Sequence, residues 1–135
     1  MLIETDFLIS LVRENDRHHI RTLKILEKLR GHIKLSPYTL TELDLLVWSN
    51  TFKVKDKELF FKLLEETLNY YTIETLKPKF THVAKAYELR EKYSLSFFDS
   101  LHAAVAMIEN IPLLSYDKTY SKIKEIKHVN PLTLA

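Results

Sequence analysis

The sequence predicts an α/β fold of three layers, with a central parallel sheet of four or five strands between two layers of helices. Three observations point there. Short β-branched or alternating apolar segments recur between longer segments whose apolar residues have helical spacing. The length of 135 residues suits one domain and lets it bury roughly two-thirds of its unfolded surface. No linker, repeat or low-complexity stretch interrupts the alternation, so residues 1–135 are read as a single domain.

Leu2 to Phe7 reads as a short opening strand, and from Leu8 to Val12 the apolar spacing turns helical. Arg17 to Arg30 carries Ile20, Leu23, Ile25, Leu26 and Leu29 at largely helical spacing, with Gly31 as a stop. His32 to Ser36 alternates as a strand does, and Pro37 suits the first turn of a helix reaching about Phe52. Lys55 to Asn69 predicts a helix with Leu59, Phe60, Leu63, Leu64 and Leu68 on one side, and Tyr70-Tyr71-Thr72-Ile73 predicts a strand. Pro78 fits the first turn of the next helix. Ser96 is the candidate N-cap of a helix from Phe97 to about Asn110, which Pro112 ends. Leu113 to Ser115 gives a brief strand, Lys118 to Lys124 a short helix and Ile126 to Val129 a last strand. Aromatic helix positions such as Trp48, Phe52, Phe60 and Phe61 are assigned to the core.

Composition excludes several classes of chemistry. There is no cysteine, which removes disulfides and thiolate metal sites and suits a reducing cytoplasm. A single glycine rules out the Gly-rich loops that cradle phosphates in P-loop and dinucleotide folds. The opening segment has no basic stretch leading into an apolar core, and no apolar run is long enough to cross a bilayer, so no membrane partner is expected. A net charge of +2 neither demands nor excludes nucleic acid.

Most of the 18 acids fall where solvated helix faces would put them. Glu4 with Asp6, Glu42, Asp99 and Asp117 differ, because each lies at an element boundary among apolar residues. Glu4 and Asp6, two apart on a strand, would project from one face near its carboxyl end. Glu42 falls in the first turns of the helix after the second strand, Asp99 in the first turn of the helix from Phe97, and Asp117 just after the strand at Leu113. In isolation Asp99 could favour a helix dipole and Asp117 could cap a turn. In a parallel sheet, however, all of these boundaries share one rim. Carboxylates gathered there repel unless a cation joins them, and oxygen ligands of this kind suit Mg²⁺ or Mn²⁺.

Ile3-Glu4-Thr5-Asp6-Phe7-Leu8-Ile9, Tyr38-Thr39-Leu40-Thr41-Glu42-Leu43, Phe98-Asp99-Ser100-Leu101-His102-Ala103-Ala104-Val105-Ala106 and Leu113-Leu114-Ser115-Tyr116-Asp117-Lys118 resemble, in order, the four acidic motifs of the PIN-domain family. The resemblance spans nearly the whole chain, and the aspartate helix is its most distinctive part. It implies a PIN-like three-layer fold and a metal-dependent nuclease cutting single-stranded regions of RNA, of the VapC toxin type. A VapB-type antitoxin and a homodimer are the partners it implies. One departure concerns the first motif: the family opens with Asp-Thr or Asp-Ser and then a small polar residue, whereas Glu4 stands at the aspartate and Asp6 at the polar position. Asp6 is favoured as the ligand for its shorter carboxylate near the strand end, with Glu4 assisting or substituting. The last motif has Ser115-Tyr116-Asp117 where the family often has Thr, any residue, Asp.

The expected site is therefore Asp6, Glu42 and Asp99 around one or two Mg²⁺ ions, with Asp117 tuning the pocket or joining a second ion and Glu4 as a further metal-binding candidate. Thr5, Ser100 and Ser115 are candidates to orient those ligands. One turn after Asp99, His102 could approach the pocket, but it is read first as a polar helix or interface histidine, and Arg13, Lys53 and Lys118 are left outside the site. A different class of function is motivated by Glu4: a PIN-like RNA- or protein-binding module that the altered first acid has weakened as a catalyst. A receiver-type phosphoryl domain also gathers acids on a sheet rim, but the spacing here serves it poorly.

Overall fold

The computed structural model describes residues 1–134; Ala135, the last residue of the expected domain, lies outside the described residues. Five short strands, β1 (Leu2–Ile3), β2 (Lys34–Leu35), β3 (Glu74–Thr75), β4 (Leu113–Leu114) and β5 (His128–Val129), form a sheet in the order β3-β2-β1-β4-β5. Every pairing is parallel, with Leu2 beside Lys34 and Leu113, and Ile3 beside Leu35 and Leu114. The helices are α1 (Thr5–Val12), α2 (His19–Lys28), α3 (Tyr38–Trp48), α4 (Lys57–Tyr70), α5 (Phe80–Lys92) and α6 (Phe97–Glu109). This is the expected three-layer α/β arrangement.

Strand alternation builds the two core layers. Leu2 and Leu113 turn to one face, against Ala86 and Leu89 of α5 and Leu101, Ala104 and Val105 of α6. Ile3, Leu35 and Leu114 turn to the other, against Phe7 and Leu8 of α1, Leu26 of α2, Leu43 of α3 and Leu64 of α4. The run Ala103, Ala104 and Ala106 is buried, and small side chains there let α6 lie close to its neighbours.

Several boundaries differ from expectation for identifiable reasons. The opening strand stops at Ile3 because the Glu4 carboxylate accepts from the amides of Asp6 and Phe7 and so caps α1. Glu4 and Asp6 consequently do not share one face of a strand. Tyr70 ends α4 instead of opening a strand. Thr72, at φ 57°, reverses the chain, and the Ile73 amide returns 2.9 Å to the carbonyl of Leu68 before β3 begins at Glu74. Pro37 is the N-cap of α3, one residue ahead of its first turn, and Pro78 precedes Lys79, the N-cap of α5. Ser96 caps α6 as expected, its hydroxyl accepting from the Asp99 amide, and Asn110, at φ 54°, ends that helix two residues before Pro112. Phe52 is core, in contact with Phe60, whereas Trp48 is 81% exposed. The buried face of α3 belongs to Thr39, Leu43 and Val47, and a residue one step beyond Val47 is turned about 100° away from it.

In an all-parallel sheet the carboxyl ends of the strands lie along one edge. From β1 the chain moves first to β2 on one side, and later reaches β4 on the other. The point where direction reverses is the carboxyl end of β1, the crevice where open α/β sheets hold ligands.

Candidate functional site

Four segments deliver acids to that crevice. Glu4, directly after β1, is only 2% exposed. Besides the Asp6 and Phe7 amides, both at 3.2 Å, its carboxyl takes a hydrogen bond from Ser115, which follows β4. Burial above all, and then the charge of Asp6, push the Glu4 carboxyl well above the usual carboxylate range, against the pull of those three bonds. Asp6, in the first turn of α1, reaches solvent. Asp117 caps the 3₁₀ turn Lys118–Lys122, one oxygen accepting from the Thr119 amide at 2.9 Å, while its own amide donates to the Ser115 hydroxyl at 3.0 Å.

Glu42 is held from α3 by residues of two other elements. The Thr5 hydroxyl donates to its Oε1, and His102 Nε2 lies 2.8 Å from the same oxygen. His102 is fully buried in α6, and its Nδ1 is 2.7 Å from the hydroxyl of Ser36, which follows β2. With Nε2–H donating to the carboxylate, Nδ1 accepts from Ser36, so both nitrogens of a neutral ring are satisfied. Asp99, in the first turn of α6, accepts at 3.1 Å from the hydroxyl of the fully buried Tyr120. Burial first, and then the charges of Glu4, Asp99 and Glu42, drive the Tyr120 phenol far above its ordinary range, so it acts only as a donor to the acids around it.

Asp6 is where the electrostatics meet. Its carboxyl is raised from 3.8 to about 6, by burial first and then by Asp117, Glu42 and Asp99, with His102 pulling the other way. Acids from the end of β4 and the starts of α3 and α6 thus act on one group that follows β1. Among the described residues no Lys or Arg pairs with any of them; the one ion-pair contact is that of Glu42 with His102. Neither do any three His, Asp or Glu side chains among the described residues stand closely enough together to hold a metal ion. The donors are nonetheless carboxylate and hydroxyl oxygens without a Lys or Arg partner among the described residues, a set that suits a hard divalent cation.

Of the expected orienting residues, Thr5 and Ser115 contact Glu42 and Glu4. Ser100 does not reach the acids: its hydroxyl bonds the Phe97 carbonyl and accepts from Arg90 Nε, both at 2.7 Å, which ties α6 to α5. The reading of His102 as a histidine outside the pocket is corrected, since it holds Glu42. Its position one turn after Asp99 was the signal available. Ser36 offered only its place at a strand end, and Tyr120, in a short 3₁₀ turn, offered none. Arg13 lies over the Phe52 ring, 4.5 Å from its centroid.

The raised Asp6 pKa has a thermodynamic consequence. Between about pH 4 and pH 6 the folded state keeps a proton that the unfolded chain has lost, so this group's contribution to stability falls as pH rises through that window. Asp6→Asn is therefore expected to raise the Tm of EDTA-treated protein at pH 7.5 and to flatten its decline from pH 4 to 6. Thermal unfolding of both proteins across that range, with equal or lower Tm for the variant, would count against repulsion at Asp6.

The PIN domain family model matches residues 1–126. No curated protein sequence is similar enough to match. Three solved structures show the same fold. VapBC2 from Rickettsia felis bound to a promoter DNA fragment is 20% identical, covering 96% of each chain, with a TM-score of 0.77. FitAcB from Neisseria gonorrhoeae is 18% identical over 97% of each chain, with a TM-score of 0.71. PAE2754 from Pyrobaculum aerophilum is 19% identical over 98% of this chain and 91% of that one, with a TM-score of 0.65. A family match over nearly the full length, a five-stranded parallel sheet with helices on both faces and this structural likeness together establish that the chain belongs to the PIN domain family.

Proposed function

We propose that residues 1–135 form a single-domain, Mg²⁺-dependent endoribonuclease, active also with Mn²⁺, that cleaves single-stranded regions of RNA as the toxin of a type II toxin-antitoxin pair. The observation that carries this reading is the convergence on Asp6 of Glu42, Asp99 and Asp117, with no Lys or Arg paired to any of the four among the described residues. A structural acid cluster would be neutralised by basic side chains. This one is supported from beneath by hydroxyl, amide and imidazole donors.

Asp6, Glu42 and Asp99 hold the ion in this reading, and Asp117 adds charge or takes part in a second site. A bound divalent ion would supply activation and orientation of the attacking water and neutralise charge at the scissile phosphate. Thr5 and His102 fix Glu42 through Oε1, leaving its other oxygen for the cation. Tyr120 restrains Asp99 in the same way. Glu4, buried and accepting from the Asp6 and Phe7 amides, acts as the α1 cap in this reading, and its use there favours Asp6 as the first-motif ligand. Family membership supports the nuclease reading. The VapBC2 complex among structures of the same fold supports a VapB-type antitoxin, and the family resemblance is the ground for a homodimer and a cytoplasmic setting. An apolar cavity of about 650 Å³ beside α3 and α4, lined by Leu40, Leu43, Phe61, Leu64 and Leu68, suits an apolar helix of such a partner.

The diversion of Glu4 into a helix cap also favours a second reading, a PIN-like binding module without catalysis. Incubating a mixed single-stranded RNA pool with wild type and Asp99→Asn, under Mg²⁺, Mn²⁺ and EDTA, separates the two. The nuclease reading predicts metal-dependent cutting that falls at least about a hundredfold in the variant. Absence of cutting by folded wild type with either ion would favour the module.

The support given to Glu42 by His102 is testable without RNA. His102→Ala is expected to weaken Mn²⁺ binding roughly 10- to 100-fold by calorimetry, and His102→Gln, which keeps a donor near Nε2, to recover part of it. Equal affinity in all three proteins would remove His102 from the site.

A further inference from the structure

Three aromatic rings are stacked beside the acids. Phe7 and Tyr116 have centroids 5.6 Å apart at 14°, and Tyr116 and His18 have centroids 4.0 Å apart at 5°. The ladder runs from the core residue Phe7, through Tyr116 between Ser115 and Asp117, to the half-buried His18 ahead of α2.

Its middle ring is locked in place. The Ser10 hydroxyl donates to the Phe7 carbonyl at 2.6 Å, so the 2.7 Å contact between Ser10 and Thr22 has Thr22 as donor. The Tyr116 hydroxyl must then donate to Thr22, 2.9 Å away. A Tyr hydroxyl satisfied in this way leaves its ring no freedom to swing into solvent. The outer ring is also held: the His18 amide donates to Asp16 at 2.8 Å, and Arg17 Nε donates to His18 Nε2 at 3.2 Å. Desolvation, followed by the charge of Arg17, lowers the His18 pKa, so the ring presents a neutral face at pH 7.

The Tyr116 and His18 rings border a cavity of about 300 Å³ whose other walls include Asp6, Asp16, Arg17 and Asp117. The cavity therefore begins at two of the acids assigned to the metal and ends at a planar, preorganised stack with an exposed guanidinium beside it. A flat π-surface next to a cation is the recurrent device for holding a single-stranded base and its backbone.

We propose that this cavity is a nucleobase subsite, in which a base next to the scissile phosphate continues the Phe7-Tyr116-His18 stack and Arg17 meets the adjoining backbone phosphate. The subsite rests on the ribonuclease reading and deepens it, since it states how single-stranded RNA is seated. Recognition through a π-face excludes a base already stacked within a duplex, which gives a physical source for a preference for single strands. Tyr116 also occupies the position that the resembling motif leaves open to any residue, so its ring adds a feature that the metal ligands do not require.

The test uses a background that leaves RNA intact, Asp99→Asn, with short single-stranded RNAs carrying 2-aminopurine at each position in turn. The subsite predicts strong quenching on binding at one position only. That quenching is lost in Asp99→Asn/His18→Ala and kept in Asp99→Asn/His18→Phe, and RNA affinity falls roughly 10- to 100-fold for the alanine variant alone. RNA bound with equal affinity by the His18→Ala variant, or without position-specific quenching, overturns the subsite and leaves the ribonuclease reading intact. Failure of both wild type and Asp99→Asn to bind any of the RNAs overturns that reading and the subsite with it.

Discussion

Four acids with no Lys or Arg partner among the described residues share the carboxyl edge of β1, and the mutual repulsion of these groups is the constraint around which the rest of the site is arranged. Two carboxylates about 7 Å apart repel by about 2 kcal/mol at an effective dielectric of about 20, so several together rival a sizeable part of a domain's net stability. The fold brings them together because every strand is parallel and because β1 lies at the point where the chain changes direction across the sheet. With β1 and β4 apart in the sheet, Asp6 and Asp117 would no longer meet.

The surroundings restrain the charges without cancelling them. Thr5 and His102 hold Glu42, Tyr120 holds Asp99, and the Thr119 amide holds Asp117, with no Lys or Arg among these donors. Glu4 differs from the others: it is buried, burial pushes its carboxyl above the usual range, and it caps α1. A Lys at this rim would relieve the repulsion and remove the affinity for a cation. The arrangement thus keeps an electrostatic strain in the free protein that a divalent ion would release, a stability cost in exchange for binding.

How much of this was legible beforehand depended on range. The order of elements, the parallel sheet and the N-cap at Ser96 follow from local patterns, which the sequence carries directly. The acidic positions were legible too, because an acid among apolar residues at an element boundary is a local anomaly. Less was legible where long-range contacts decide. Glu4 reads as a strand residue until the first turn of α1 is seen to need a cap. Tyr70 and Tyr71 look like a strand, yet the end of α4 and the turn at Thr72 claim them. Trp48 looks like core, but α3 turns it outward. His102, Ser36 and Tyr120 become part of the site only through partners 60, 66 and 21 residues away, which no spacing rule links.

The account depends most on one divalent ion lying among Asp6, Glu42 and Asp99. Anomalous scattering from crystals of the chain grown with Mn²⁺ tests this directly. The account predicts a peak with those three carboxylates within about 2.0–2.6 Å, the range for hard cations with oxygen ligands, and its disappearance in Asp99→Asn. Well-ordered crystals at saturating Mn²⁺ with no peak at this rim, or with one bound by other residues, would contradict it.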